Sequence, residues 1–136
     1  MPIMEWDDTL DVGVQAMNDE HKRILDLMNQ INDAHEDGLT GGLVIALVNQ
    51  LGQVTLDHFR DEEAYMARTG YAGLASHALI HKDLLAKYTA YADDTRRNDG
   101  RLPEKFLMFL KLWLTAHIRG IDMKYGPKGE ALRQAG

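Results

Sequence analysis

Four long stretches of this chain carry apolar residues at helical spacing, each bounded by glycine or proline, and nothing alternates with period two for long enough to build a sheet. The first stretch runs from about Asp19 to Glu36, with Ile24, Leu25, Leu27, Met28 and Ile31 on one stripe, Asn18 or Asp19 as N-cap and Gly38 as stop. The second runs from about Gly42 to Arg68, carries Leu43, Ala46, Leu47, Leu51, Val54 and Phe59, and ends at Gly70. The third, about Ala72 to Thr95, carries Leu74, Leu84, Leu85 and Tyr88. The fourth opens with Pro103 in a first-turn position and continues through Phe106, Leu107, Leu110, Trp113, Leu114 and Ile118 to about Ile121. Long helices with short connections pack as antiparallel neighbours, which predicts an all-α, up-down-up-down four-helix bundle. The 136 residues suit one domain: an extended N-terminal arm over 1–18, the bundle over 19–122, and a flexible tail over 126–136.

Composition narrows what such a bundle can do. The net charge of −6 and pI near 5.4 argue against a nucleic-acid surface, and the one tight basic cluster, Arg96, Arg97 and Arg101, is interleaved with Asp93, Asp94 and Asp99, as in a solvated loop. With no cysteine, disulfides, iron–sulfur clusters, Cys-rich zinc sites and thioether-attached haem are excluded, so any metal is held by nitrogen and oxygen. The first residues lack the basic flank and apolar run of a secretory signal, and the runs Leu43 to Val48 and Phe106 to Leu114 are too short to span a membrane. The expectation is a soluble, cytoplasmic protein with no membrane insertion.

The histidines carry the chemistry. His77 and His81 stand at i and i+4, which stacks two imidazoles on one helical face, and His58 with Glu62 repeats the spacing. His117 lies on the fourth helix, with Asp122 too far on for a regular helix to share its target; Gly120 between them lets the last turn loosen. His21 adds an imidazole from the first helix. His35 lies about 21 Å along that helix from His21 and belongs to the surface or a helix end. Met28, Met66, Met108 and Met123 read as gap-fillers, Glu63 as either solvated or a neighbour of the site, and Tyr125 as a hydrogen-bonding neighbour of it. Imidazole with carboxylate suits iron, manganese, zinc or copper, whereas magnesium and calcium want nearly all oxygen. Five imidazoles and two carboxylates exceed the needs of one ion. Two roughly six-coordinate ions sharing both carboxylates and a solvent-derived oxygen would fill all but one of about twelve positions, leaving one open for a small ligand.

At this level of detail the chain resembles the hemerythrins, especially their single-domain bacterial members. The resemblance rests on Trp6 with Val12-Gly13-Val14, His21 followed by Asn29, His58-Phe59-x-x-Glu62-Glu63 with Met66, Gly70-Tyr71, His77-x-x-x-His81, and Trp113-x-x-x-His117-Ile118 with Asp122 and Tyr125. It implies a four-helix bundle around an oxo- or hydroxo-bridged centre of two Fe ions that binds O2 reversibly at one iron. His77, His81 and His117 would bind the saturated iron, His21 and His58 the open one, with Glu62 and Asp122 bridging. Phe59, Trp113, Leu114 and Ile118, each within one turn of a ligand, would wall a dry O2 pocket that keeps water and protons away. Asn18 and Glu20, where Asp and Gln are common, and Ala72, where Pro is usual, depart from the family pattern outside the ligand set.

The implied function is reversible O2 binding for transport, storage or delivery, without catalysis, beside an electron-donating or oxygen-consuming protein partner. The alternatives on the same centre are O2 or redox sensing and a di-iron redox enzyme acting on peroxide or nitric oxide. A ferritin-like oxidase calls for two Glu-x-x-His motifs, and no Glu here has a His three residues on. A two-zinc hydrolase is disfavoured because five imidazoles leave little room for substrate and no placed general base.

Overall fold

The computed structural model describes residues 4–127. Four helices, α1 (Gln15–Glu36), α2 (Gly42–Arg68), α3 (Leu74–Arg97) and α4 (Phe106–Gly120), form an up-down-up-down bundle, with short 3-10 turns at Asp8–Leu10 and Asp122–Tyr125. Consecutive helices α1, α2 and α3 pack on one another, and α4 closes against α1 and against both 3-10 turns. No described helix is long and apolar enough to cross a membrane.

Helix ends follow local chemistry. At the end of α1, Gly38 takes φ 72°, and the amides of Gly38 and Leu39 donate to the carbonyls of His35 and Ala34 at 3.0 and 2.9 Å, so the last orphan carbonyls are satisfied. The same pattern ends α2, where the amides of Gly70 and Tyr71 donate to Ala67 and Met66. Four boundaries differ from the sequence reading. Helix α1 begins at Gln15 rather than Asp19, because the buried stripe extends back through Met17 and Asn18 is spent elsewhere. The Asn18 carboxamide ties down the arm, accepting from the Val12 amide at 3.0 Å and donating to Asp11 Oδ1 at 2.8 Å. Helix α3 starts at Leu74 and runs to Arg97, two residues later than expected at each end. Pro103 precedes α4 in a turn, its carbonyl accepting from the Phe106 amide at 3.1 Å.

The core runs along the bundle axis through Ile24, Leu27, Met28 and Ile31 of α1 and Phe106, Leu110, Leu114 and Ile118 of α4. On α2 the buried stripe is Val44, Val48, Leu51, Thr55, Phe59, Glu62 and Met66, whereas Leu43 is exposed and Leu47 only half-buried. The start of α2 is apolar nearly all round, so composition alone does not set its phase. Met28 and Met66 fill the core as expected; Met108 is exposed and fills nothing. Arg96 and Arg97 pair with Asp93 and Asp94 at the surface, as the mixed-charge run implies.

The arm reaches the bundle through Leu10 and Val12, both fully buried, and Trp6 lies half-buried beneath the Lys22 ammonium, 4.9 Å from its ring centre. It also meets the segment after α4. Gly126 is buried, not part of a loose tail, and a Cβ there would lie 2.0 Å from the Val12 carbonyl oxygen. The remaining tail expectation, 128–136, lies outside the described residues. Gly126→Ala therefore has no room unless arm and terminal turn separate; its expected cost is about 1–3 kcal/mol, read as a lower thermal midpoint and faster proteolysis within the arm.

Candidate metal centre

Each helix delivers its part of the cluster by its own periodicity. His21 extends the Met17–Ile24 stripe of α1; His58 and Glu62 lie one turn apart on the buried face of α2; His77 and His81 do the same on α3; His117 comes from the last turn of α4. Asp122 needs a change of helix type. Helix α4 ends at Gly120, Ile121 caps it with its amide on the His117 carbonyl at 2.8 Å, and the tighter 3-10 turn that follows swings Asp122 inward, as the Gly120 argument anticipates. All seven side chains are buried, Glu62 and Asp122 completely. His35 is exposed in the last turn of α1, away from the cluster.

The donors fall into two groups. Glu62, His77, His81, His117 and Asp122 form one and His21, His58, Glu62 and Asp122 the other, with one ligand atom per residue and all within 4.8 Å of each other inside a group. Ligands on opposite sides of an ion at about 2.1 Å stand about 4.2 Å apart, so each group matches the size of one coordination sphere. The two carboxylates belong to both. Asp122 Oδ1 lies 3.0 Å from His77 Nε2 and 2.9 Å from His117 Nε2, while its Oδ2 lies 3.1 Å from His21 Nε2. Glu62 Oε1 is 3.2 Å from the Nε2 atoms of both His58 and His81, and its Oε2 is 3.3 Å from His21 Nε2.

Those short approaches close few hydrogen bonds. Among the described residues, buried His21 Nε2, His58 Nε2, His81 Nε2, Glu62 Oε1 and both Asp122 oxygens have no hydrogen-bond partner, and the Nε2 atoms of His77 and His117 face each other at 3.3 Å. Burying so many polar atoms unpaired costs several kcal/mol unless something satisfies them, and converging lone pairs of imidazole and carboxylate are what a cation satisfies. The residues thus fit a resident metal pair.

Without metal, protons take the place of the cations. Burial works to lower the His58 pKa, but the charge of Glu62 and the bond to Glu20 outweigh it and push it up to about 10. Burial acts likewise on His21, and Asp122 and Glu62 raise it. Burial opposes ionisation of Glu62, and the imidazoles around it still hold it well below the usual carboxylate range. A raised His58 stabilises the metal-free fold fully below pH 6.5 and loses that contribution as pH rises toward 10; a lowered Glu62 contributes above pH 4.5 and is lost in acid. The metal-free chain is therefore expected to be most stable between about pH 4.5 and 6.5, its thermal midpoint falling from pH 7 to 10. A midpoint that rises over that interval contradicts this charge balance.

Around the cluster, Phe59 stacks on His81 with ring centres 3.8 Å apart and planes 3° from parallel, and it also meets His58, His117 and Trp113. A small apolar cavity behind it is lined by Thr55, Phe59, Leu84, Tyr88, Phe109 and Trp113. Of the four expected wall residues, Phe59 and Trp113 line that cavity; Leu114 and Ile118 are buried at 2 and 1% exposure without lining it. Three neighbours stand out beyond the seven. Tyr125 donates to Glu62 Oε2 at 2.5 Å, Glu20 meets His58 Nδ1 and Glu63 meets His81 Nδ1. Sequence spacing flags Tyr125 only as a neighbour, leaves Glu63 open between solvent and the site, and gives no role to Glu20, whose partner lies 38 residues away on another helix.

A bundle with five imidazoles and two carboxylates at its centre has the makings of a nitrogen- and oxygen-ligated metal-binding protein. The sequence pattern described as "Hemerythrin HHE cation binding domain" matches residues 12–128, and the chain belongs to the hemerythrin family. It is 32% identical to a myohemerythrin of Riftia pachyptila over 88% of each chain, and 29% identical to a bacteriohemerythrin of Pseudomonas aeruginosa over 92% of this chain and 80% of that one. A crystal structure of wild-type hemerythrin superposes with a TM-score of 0.81 at 27% identity, covering 91% of this chain and 95% of that one.

Proposed function

We propose that the cluster holds two iron ions, with His77, His81 and His117 on one, His21 and His58 on the other and Glu62 and Asp122 bridging, and that the protein binds O2 reversibly for transport, storage or delivery. The observation that carries this reading is the unequal division of donors, three imidazoles against two around the same two carboxylates, which leaves the two-histidine position poorer in protein ligands. When bound, the iron pair supplies the electrons that O2 takes up and gives back.

The chain's own residues make that exchange reversible. Phe59 lies against His58, His81 and His117 with Trp113 behind it, and Leu114 and Ile118 add buried apolar surface to the core on the same helix as Trp113, which keeps bulk water away. Tyr125 holds Glu62 Oε2 in place, and burial together with the Glu62 and Asp122 charges pushes its phenol far above its ordinary pKa, so the hydroxyl stays a donor. No group in the cluster is free to act as a general base on a substrate: the imidazole Nε2 atoms and the carboxylates all face inward on one another. An electron-donating or oxygen-consuming protein is the partner class this role implies.

The test is to load the protein with ferrous iron without air, then add and remove O2 while recording the visible spectrum. A charge-transfer band that appears with O2 and disappears when it is removed supports the reading. Rapid one-way conversion to a ferric form, or turnover of added peroxide, replaces it with a redox enzyme.

A further inference from the structure

Two of the five clustered histidines have a carboxylate directly behind them. His58 Nδ1 lies 2.6 Å from Glu20 Oε1, and His81 Nδ1 lies 3.0 Å from Glu63 Oε2. The Nδ1 atoms of His21 and His77, by contrast, are buried with no hydrogen-bond partner among the described residues. The braced histidines are not on one side of the cluster: His58 belongs to the two-histidine group and His81 to the three-histidine group. Each brace also crosses between helices, Glu20 of α1 to His58 of α2, and Glu63 of α2 to His81 of α3.

A carboxylate on Nδ1 holds the proton there, leaves the Nε2 lone pair free for a cation and makes the ring a more basic donor. The burial pattern favours this arrangement. Both imidazoles are about 2% exposed while Glu20 and Glu63 are 29 and 38% exposed, so each carboxylate keeps part of its hydration and still acts across a short bond into a dry site.

We propose that Glu20 and Glu63 are a matched pair of positioning residues, one behind each metal position, which fix His58 and His81 as Nε2 donors and strengthen them through their charge. The proposal rests on the two-metal reading above. It predicts that the positions can be weakened one at a time from outside the ligand set.

The experiment measures Co(II) affinity, by chelator competition, of metal-free wild type, Glu20→Gln, Glu20→Ala, Glu63→Gln and Glu63→Ala, together with the reduction potentials of the iron-loaded forms. Glutamine keeps a hydrogen-bond acceptor and loses the charge; alanine loses both. Expected are two Co(II) per wild-type chain and, in each variant, one ion weakened about 10–100-fold while the other holds, alanine exceeding glutamine, with the iron potential shifted upward. The helical content of each metal-free variant is recorded by circular dichroism, so weaker binding is read on a folded chain. Wild type that fails to bind two ions overturns the two-metal reading itself. Two tight ions in wild type with unchanged affinity and potential in the glutamine variants overturn the charge-based role, and equal weakening of both ions by either change overturns the one-per-position assignment.

Discussion

Glu62→Gln is expected to abolish paired metal binding, so that the reconstituted protein carries at most one iron per chain. Glu62 Oε1 faces His58 and His81 and Oε2 faces His21, so its two oxygens reach histidines from both donor groups. An amide is nearly the same size but brings one oxygen and no charge, and two divalent ions a few ångströms apart then repel with half the bridging anion missing. The Tyr125 hydroxyl, which donates to Oε2, also faces an altered partner. Iron analysis after anaerobic loading and desalting reads the result. A variant that keeps two irons would remove Glu62 from the bridge.

The second large effect is on stability. Two ions that bind the folded chain and not the unfolded one stabilise it by about 4 kcal/mol each when free metal is a thousandfold above its dissociation constant. For a chain of this size that corresponds to a thermal midpoint on the order of 20 °C higher with metal than without. The same burial that raises the stakes explains the size. Removing the ions leaves six inward-facing buried nitrogen and oxygen atoms of the cluster without a hydrogen-bond partner among the described residues, a cost that protonation relieves. Differential scanning calorimetry of loaded and chelator-treated protein reads the difference, and a shift of only a degree or two would mean that the cluster is satisfied without metal. Because protons compete with the ions for the same imidazoles, acid should release the metal while leaving the metal-free chain near its own optimum.

Much of this cluster was legible in the sequence because its side chains obey helical periodicity. His58 with Glu62 and His77 with His81 sit at i, i+4, and His21 continues a stripe that runs through Ile24 and Met28, so a helix count and a spacing argument place five of the seven on inward faces. Asp122 was accessible only through Gly120, since the helix must end before the carboxylate can return. What spacing does not show is anything decided between helices. Asn18 looks like an N-cap by its chemistry, yet it sits inside α1 because its carboxamide finds a better use on Asp11 and Val12. The phase of α2 near Leu43 was ambiguous because apolar residues surround the helix there, and it becomes definite only where His58 and Glu62 must face inward. Glu20 gave no periodic signal: its partner lies across the α1–α2 interface, and only the packing angle of the two helices brings them to 2.6 Å. Spacing does not separate Phe59 and Trp113, which border a small apolar cavity, from Leu114 and Ile118, which are buried without lining it.

The most direct test of the central claim is an anaerobic titration of metal-free protein with ferrous iron, monitored by bound iron per chain. The expected result is a break at two irons per chain in wild type and at no more than one in Glu62→Gln. A break at one, or uptake that continues without a break, would contradict a paired centre built from these residues.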